Sequence, residues 1–155
     1  MDPSLWGPHL WYFLHTVSFK FPVNPTWTDK KEMTDFLVAL QYILPCEHCR
    51  FHYKNYLLDN PPTLDNQTQF MMWMINLHNN INQRLGKPQK SFDEVVQFYQ
   101  NVYDGKILYQ PPPKSKTEKI NEFYKKGFIF TGVLSVILFI LVLFQVSPRV
   151  SKLRG

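Results

Sequence analysis

Over the first hundred residues, apolar side chains recur every three or four positions, and no stretch alternates apolar and polar as a half-buried strand would. The pattern predicts a first helix from Pro3 to Lys20. Trp6, Leu10, Phe13 and Val17 form one stripe on it, and Trp11, Leu14 and His15 an adjoining one. Trp11 and His15 are four apart and share a face; on pattern alone they read as a core tryptophan beside a satisfied histidine. Pro22, Asn24 and Pro25 mark a turn. A second helix follows from about Trp27, with Thr28 or Asp29 as cap and Met33, Phe36, Leu37, Leu40 and Ile43 or Leu44 at helical spacing. A third starts at Pro45 and stops before Pro61-Pro62, with Phe51, Tyr53, Tyr56, Leu57 and Leu58 along it. Asn66 or Thr63 caps a fourth, which runs to about Leu85 and buries Phe70, Met71, Trp73, Met74, Leu77, His78 and Ile81 before Gly86 ends it. A short fifth spans Ser91 to Tyr103, with Ser91 and Glu94 as a capping box and Val95, Phe98, Tyr99 and Val102 on its apolar side. The expected fold class is all-α: four long helices and a short fifth in a bundle.

The pattern changes after residue 108. Residues 109–126 are rich in proline and lysine and read as a linker with a basic lead-in. Residues 127–146 carry no charged side chain and are long enough to span a bilayer core of about 30 Å, so a C-terminal transmembrane helix is expected, followed by a short basic tail at 147–155. No signal peptide is visible at the start. An anchor so close to the C-terminus favours a catalytic domain that faces the cytosol. The net charge of +5 comes largely from the flanks of the apolar run, which suits anionic lipid headgroups; no Arg/Lys stripe with interleaved aromatics suggests nucleic acid. One glycosylation sequon, Asn66-Gln67-Thr68, would go unused on the cytosolic side.

The chain has two cysteines, in Pro45-Cys46-Glu47-His48-Cys49. Cys46 falls at a helix N-terminus, where unpaired amides and the positive dipole end stabilise a thiolate. A disulfide across so short a loop would contribute little to stability, which points to a bond that opens and closes. Three readings follow. Cys46, Cys49, His48 and His52 could bind zinc, but no second cysteine pair is present. A thioredoxin-like dithiol would need strands. The third reading is a dithiol that passes electrons to a redox cofactor held in a helical bundle, for which Trp11, His15, Tyr53, His78, Asn82 and Lys87 are candidate contacts; no Gly-rich dinucleotide fingerprint is present.

At this point the chain resembles the Erv/ALR family of FAD-linked sulfhydryl oxidases. The resemblance rests on Gly7-Pro8-His9-Leu10-Trp11-Tyr12-Phe13-Leu14-His15 with Phe21-Pro22, on Pro45-Cys46-Glu47-His48-Cys49, and on His78-Asn79-Asn80-Ile81-Asn82 followed by Leu85 and Gly86-Lys87-Pro88. It covers roughly Leu5 to Tyr103. It implies a four-helix bundle with a fifth helix that binds FAD, usually as a homodimer. It implies that Cys49 is the flavin-proximal cysteine and Cys46 the one that meets substrate, with Gly7, Trp11, His15, Tyr53, His78, Asn82, Leu85 and Lys87 at the cofactor. Thiol-containing client proteins would be oxidised and O2 reduced to H2O2. The family's shuttle cysteines are absent here, an arginine common after the first glycine is Pro8, and the tryptophan often found on the last helix is replaced by Phe98 or Tyr99. This short form looks most like members from large cytoplasmic DNA viruses, where such an enzyme would serve virion assembly. The alternative function is a membrane-anchored zinc or thiol adaptor without catalysis.

Overall fold

The computed structural model describes residues 1–110 together with 119–120, 123–124, 127–128 and 135–138. The chain divides into two compact units, Met1–Pro112 and Pro113–Gly155. The apolar run at 127–146 lies mostly outside the described residues; among those described, no helix is long and apolar enough to cross a membrane.

Five helices make up the first unit: α1 (Pro3–Lys20), α2 (Trp27–Ile43), α3 (Glu47–Asp59), α4 (Gln67–Arg84) and α5 (Phe92–Tyr103). No strand occurs among the described residues. Each helix begins with a side chain that takes up a free backbone N–H. Asp2 caps α1 through Ser4 N at 2.9 Å, and Pro3 needs no partner for the N–H it lacks. Thr26, one residue after Pro25, caps α2, rather than Thr28 or Asp29. Asp29 is instead the third helical residue, and its carboxylate returns to Thr26 N at 2.7 Å to complete a capping box. Asn66 caps α4, which commits the sequon asparagine to Gln69 N, and Ser91 with Glu94 caps α5 as expected.

Three predictions shift. Pro45 stands outside α3; Cys46 is the cap, and the helix begins at Glu47. With 13 residues, α3 is nearly as short as α5 with 12, so the bundle has three long helices and two short ones. On α1 the fully buried residues are Leu14 and His15 of the adjoining stripe, with Ser18; Trp6, Leu10 and Val17 pack half-buried against the core, and Phe13 is 52% exposed. Ser18 is fully buried although polar, and its hydroxyl donates to His15 O at 2.8 Å.

The core combines Leu14 of α1, Leu37 and Leu40 of α2, Tyr53 of α3 and Phe70, Trp73, Met74 and Leu77 of α4, with Phe21 and Leu64 from loops. Helix α4 supplies the largest share because Phe70, Met71, Trp73, Met74, Ile75 and Leu77 are all buried. Gln67 at its start donates to Phe19 O near the end of α1 at 2.7 Å, which sets α1 and α4 antiparallel. Only Tyr99 is buried on α5.

Candidate functional site

Helix α3 is built around its first turn. Cys46 and Cys49 form a disulfide with their Cα atoms 5.1 Å apart. Cys46 has extended backbone geometry, and its Sγ accepts from Cys49 N at 3.1 Å, the role a serine oxygen plays at other helix starts. Arg50, one turn on, donates from Nη1 to Leu44 O at 2.6 Å and clasps the loop that leads into the dithiol. Both cysteines are half-buried, but they face differently: Cys49 packs against the apolar core.

Trp11, His15 and His78 are brought together. The Trp11 and His78 rings stack with centroids 3.9 Å apart and 3° between planes. His15 Nε2 lies 3.0 Å from His78 Nδ1, so one imidazole donates to the other. His15 is 2% exposed. Desolvation, with His78 second, pushes its pKa down to about 3, and desolvation, with Lys87 second, pushes His78 down to about 4. Both rings are neutral at physiological pH. His15 Nδ1 is buried without a hydrogen-bond partner, as is Trp6 Nε1. Such atoms are costly to leave unpaired, so His15 Nδ1 is a hydrogen-bonding position in the cluster that the described residues do not fill. Trp11 packs on the same apolar cluster as Cys49, which places one core between the dithiol and the aromatic site.

The other predicted residues differ in what they offer. Gly7 is half-buried with open space where a Cβ would stand. Asn82 is half-buried, and its carbonyl accepts from Lys87 N at 2.8 Å, which folds the loop after α4 back onto the helix. That fold presents the Lys87 charge to His78, where it opposes protonation. Leu85 is the C-cap of α4 and 61% exposed; its backbone N–H is bonded to Ile81 and Asn82, which makes it a helix stop. Tyr53 is buried in the core, its hydroxyl committed to Leu37 O at 2.9 Å, and burial raises its pKa above the ordinary phenol range.

Several contributors were not singled out in the sequence. Asn79 donates from Nδ2 to Lys90 O at 2.7 Å and accepts from Lys90 N at 2.9 Å, clamping the loop before α5 to α4. Its neighbours in the His-Asn-Asn-Ile-Asn run hid this structural role. Of the two aromatics considered on α5, Tyr99 is the one at the site: its ring is 5.0 Å from His15, while Phe98 is 38% exposed. Tyr12 and Tyr109 extend the same aromatic cluster, with ring centroids 4.0 Å apart. Nothing in the spacing marked Tyr109, which sits at the start of what reads as a linker. Among the described residues no group of three or more His, Cys, Asp or Glu side chains could hold a metal ion; His48 and His52 pair with each other, their Nε2 atoms 2.9 Å apart.

Comparison with known proteins matches residues 8–102 to the Erv1/Alr family. An African swine fever virus protein named "FAD-linked sulfhydryl oxidase" is 39% identical over 103 residues, which cover 66% of this chain and 83% of that one. An Arabidopsis thaliana protein named "FAD-linked sulfhydryl oxidase ERV1" is 36% identical over 81 residues, 52% of this chain and 42% of that one. A crystal structure of the FAD binding domain of Erv1 from Saccharomyces cerevisiae superposes with a TM-score of 0.59 at 32% identity and covers 60% of this chain and 89% of that one.

Proposed function

The chain belongs to the Erv1/Alr family, and we propose that its Cys46–Cys49 dithiol oxidises client thiols directly, without an internal relay. It is an FAD-linked sulfhydryl oxidase, an oxidoreductase. The observation that carries the reading is a disulfide at the start of α3, with Cys49 packed on the same core as the Trp11–His15–His78 cluster, in which His15 is buried and its Nδ1 is unpaired. The residues present fit a flavin dinucleotide. Trp11, His15, His78 and Asn82 offer ring faces and neutral hydrogen-bonding groups, and Lys87 offers a cation for a pyrophosphate. When bound, FAD supplies the two-electron acceptor that returns the dithiol to the disulfide and delivers the electrons to O2, with H2O2 as product.

The chain's own residues perform the rest. A client thiolate attacks Cys46 Sγ, the S–S bond breaks, and Cys49 leaves as a thiolate in the first turn of α3, where the positive helix end favours it. A second client thiol attacks the mixed disulfide, forming the client's disulfide and releasing Cys46. Two electrons have then moved from the client to the Cys46–Cys49 pair, and the two client protons end on the released sulfurs, or in solvent where a sulfur remains a thiolate. Because the chain has no third cysteine, client and Cys46 must meet directly. Neutral His15 and His78 hold a fixed hydrogen-bond pattern at the cofactor because burial keeps them from titrating near pH 7.

The apolar run at 127–146 would anchor the enzyme to a membrane through its C-terminus, with the catalytic unit on the cytosolic side. Exposed Phe13 on α1 and Val38 and Tyr42 on α2 would suit a homodimer contact. Clients would be proteins of an assembling virus particle, a reading supported by similarity to the African swine fever virus oxidase. The test is an absorbance spectrum of purified protein under air, before and after dithiothreitol. A flavin band that bleaches and recovers as oxygen is consumed supports the oxidase. A colourless protein that cannot be reconstituted with FAD refutes it.

A further inference from the structure

Helix α5 forms the wall of the site that carries Tyr99, and with 12 residues it is too short to be stable alone. Its start is fixed by the Ser91–Glu94 capping box and by Asn79 on Lys90. Its end is fixed differently. Tyr103 donates from its hydroxyl to Thr16 Oγ1 of α1 at 2.9 Å. Gly105 then adopts a left-handed conformation (φ +70°), and the N–H groups of Lys106 and Ile107 turn back onto Asn101 O. The chain runs from there to Tyr109, whose hydroxyl donates to Pro8 O at 2.7 Å and whose ring lies 4.0 Å from Tyr12. Tyr12 in turn lies 5.9 Å from Tyr99, and Tyr99 5.0 Å from His15. An unbroken line of aromatic contacts thus leads from residue 109 to the buried histidine.

We propose that residues 105–109 form a strap that retains the cofactor, with Tyr109 as its clasp. The inference rests on the FAD site described above. Tyr109 is a positioning residue: it touches Tyr12 and Pro8, and through Tyr12 it keeps Tyr99 and the end of α5 closed against α1. With the clasp released, the end of α5 keeps only the Tyr103 bond to Thr16 and the Phe19 contacts with Tyr99 and Tyr103, so it opens more readily and the cofactor escapes past it. The chain passes from Tyr109 almost at once into Pro111-Pro112-Pro113, so the C-terminal segment is joined to the protein through this strap.

The test compares full-length protein with Tyr109→Phe, which keeps the ring and loses the hydrogen bond, and Tyr109→Ala, which loses both. FAD release is followed by the rise in flavin fluorescence after dilution, and α5 opening by amide hydrogen exchange on FAD-free protein. The expected result for Tyr109→Ala is release faster by on the order of ten-fold, the combined weight of one aromatic pair and one hydrogen bond, with a smaller increase for Tyr109→Phe. Exchange should accelerate in α5 and not in α2, and Tyr109→Trp should restore slow release. Unchanged release in Tyr109→Ala overturns the proposal, even if α5 exchanges faster, because the strap would then be structural only. Parallel loss of protection in α2 and α5 overturns it as well, since the clasp would then act on the whole bundle. If the unaltered protein takes up no FAD, the oxidase reading falls and cofactor retention falls with it.

Discussion

Acidification should loosen this protein through two buried imidazoles, well before its carboxylates titrate. Burial lowers His15 to about 3 and His78 to about 4, against an ordinary value near 6.5. Between those limits the unfolded chain binds protons that the folded chain excludes, so stability must fall as pH falls. The contribution is fully present above about pH 6.5 and is lost progressively as pH drops toward the folded values. At pH 5 an unfolded histidine with pKa near 6.5 gains about 2 kcal/mol from protonation, while each buried ring gains almost nothing. The pair therefore costs roughly 4 kcal/mol between pH 7.5 and pH 5, a large part of the 5–15 kcal/mol typical of a folded domain. Asp29 and Glu94, whose carboxyls are held low by Thr26 and Ser91, contribute to acid loss only below that range. Urea melts at the two pH values, followed by tryptophan fluorescence, measure the difference; Trp11, stacked on His78, is the natural reporter. Replacing both rings, as His15→Gln with His78→Gln, should flatten the dependence. A wild-type difference under about 1 kcal/mol would refute the neutral buried pair, because linkage allows no other outcome for groups so shifted.

Other expectations follow from single contacts. Tyr53→Phe leaves the Leu37 carbonyl without its buried donor and should lower stability by about 1–2 kcal/mol in urea melts, with FAD affinity unchanged by fluorescence titration if the hydroxyl is structural. Asn79→Ala removes both bonds to Lys90 and should cost about 1–3 kcal/mol, visible as a lower Tm and faster hydrogen exchange at the start of α5. Ser18→Leu inserts volume where the side chain has no exposure and should destabilise by about 1–3 kcal/mol or more by denaturant melts, whereas Ser18→Ala should cost less.

Much of this architecture could be read from local chemistry. The start and end of α1, the Ser91–Glu94 box and the Asn66 cap follow from capping groups and prolines, which act over a few residues. Cys46, Cys49, Trp11, His15 and His78 were marked by spacing and by the family resemblance, and the structure brings the last three into contact. What escaped depends on distant partners. Ser18 on α1, polar and short, is buried by neighbours that helical periodicity ignores. Thr26 is hard to read as a cap because its role needs Asp29 to reach back to it. Nothing local in the sequence shows that the Tyr53 hydroxyl is committed to Leu37, sixteen residues earlier. Tyr109 sits beside a proline run that reads as linker, and its partner is Pro8, at the far end of the chain.

The most direct test of the dithiol assignment is oxygen uptake with dithiothreitol by wild-type protein and by Cys49→Ala, each carrying measured FAD. If Cys49 is the cysteine that hands electrons inward, the variant retains its flavin spectrum while oxygen consumption drops to the level of free FAD. Oxygen uptake at the wild-type rate in flavin-loaded Cys49→Ala would contradict the mechanism at its centre.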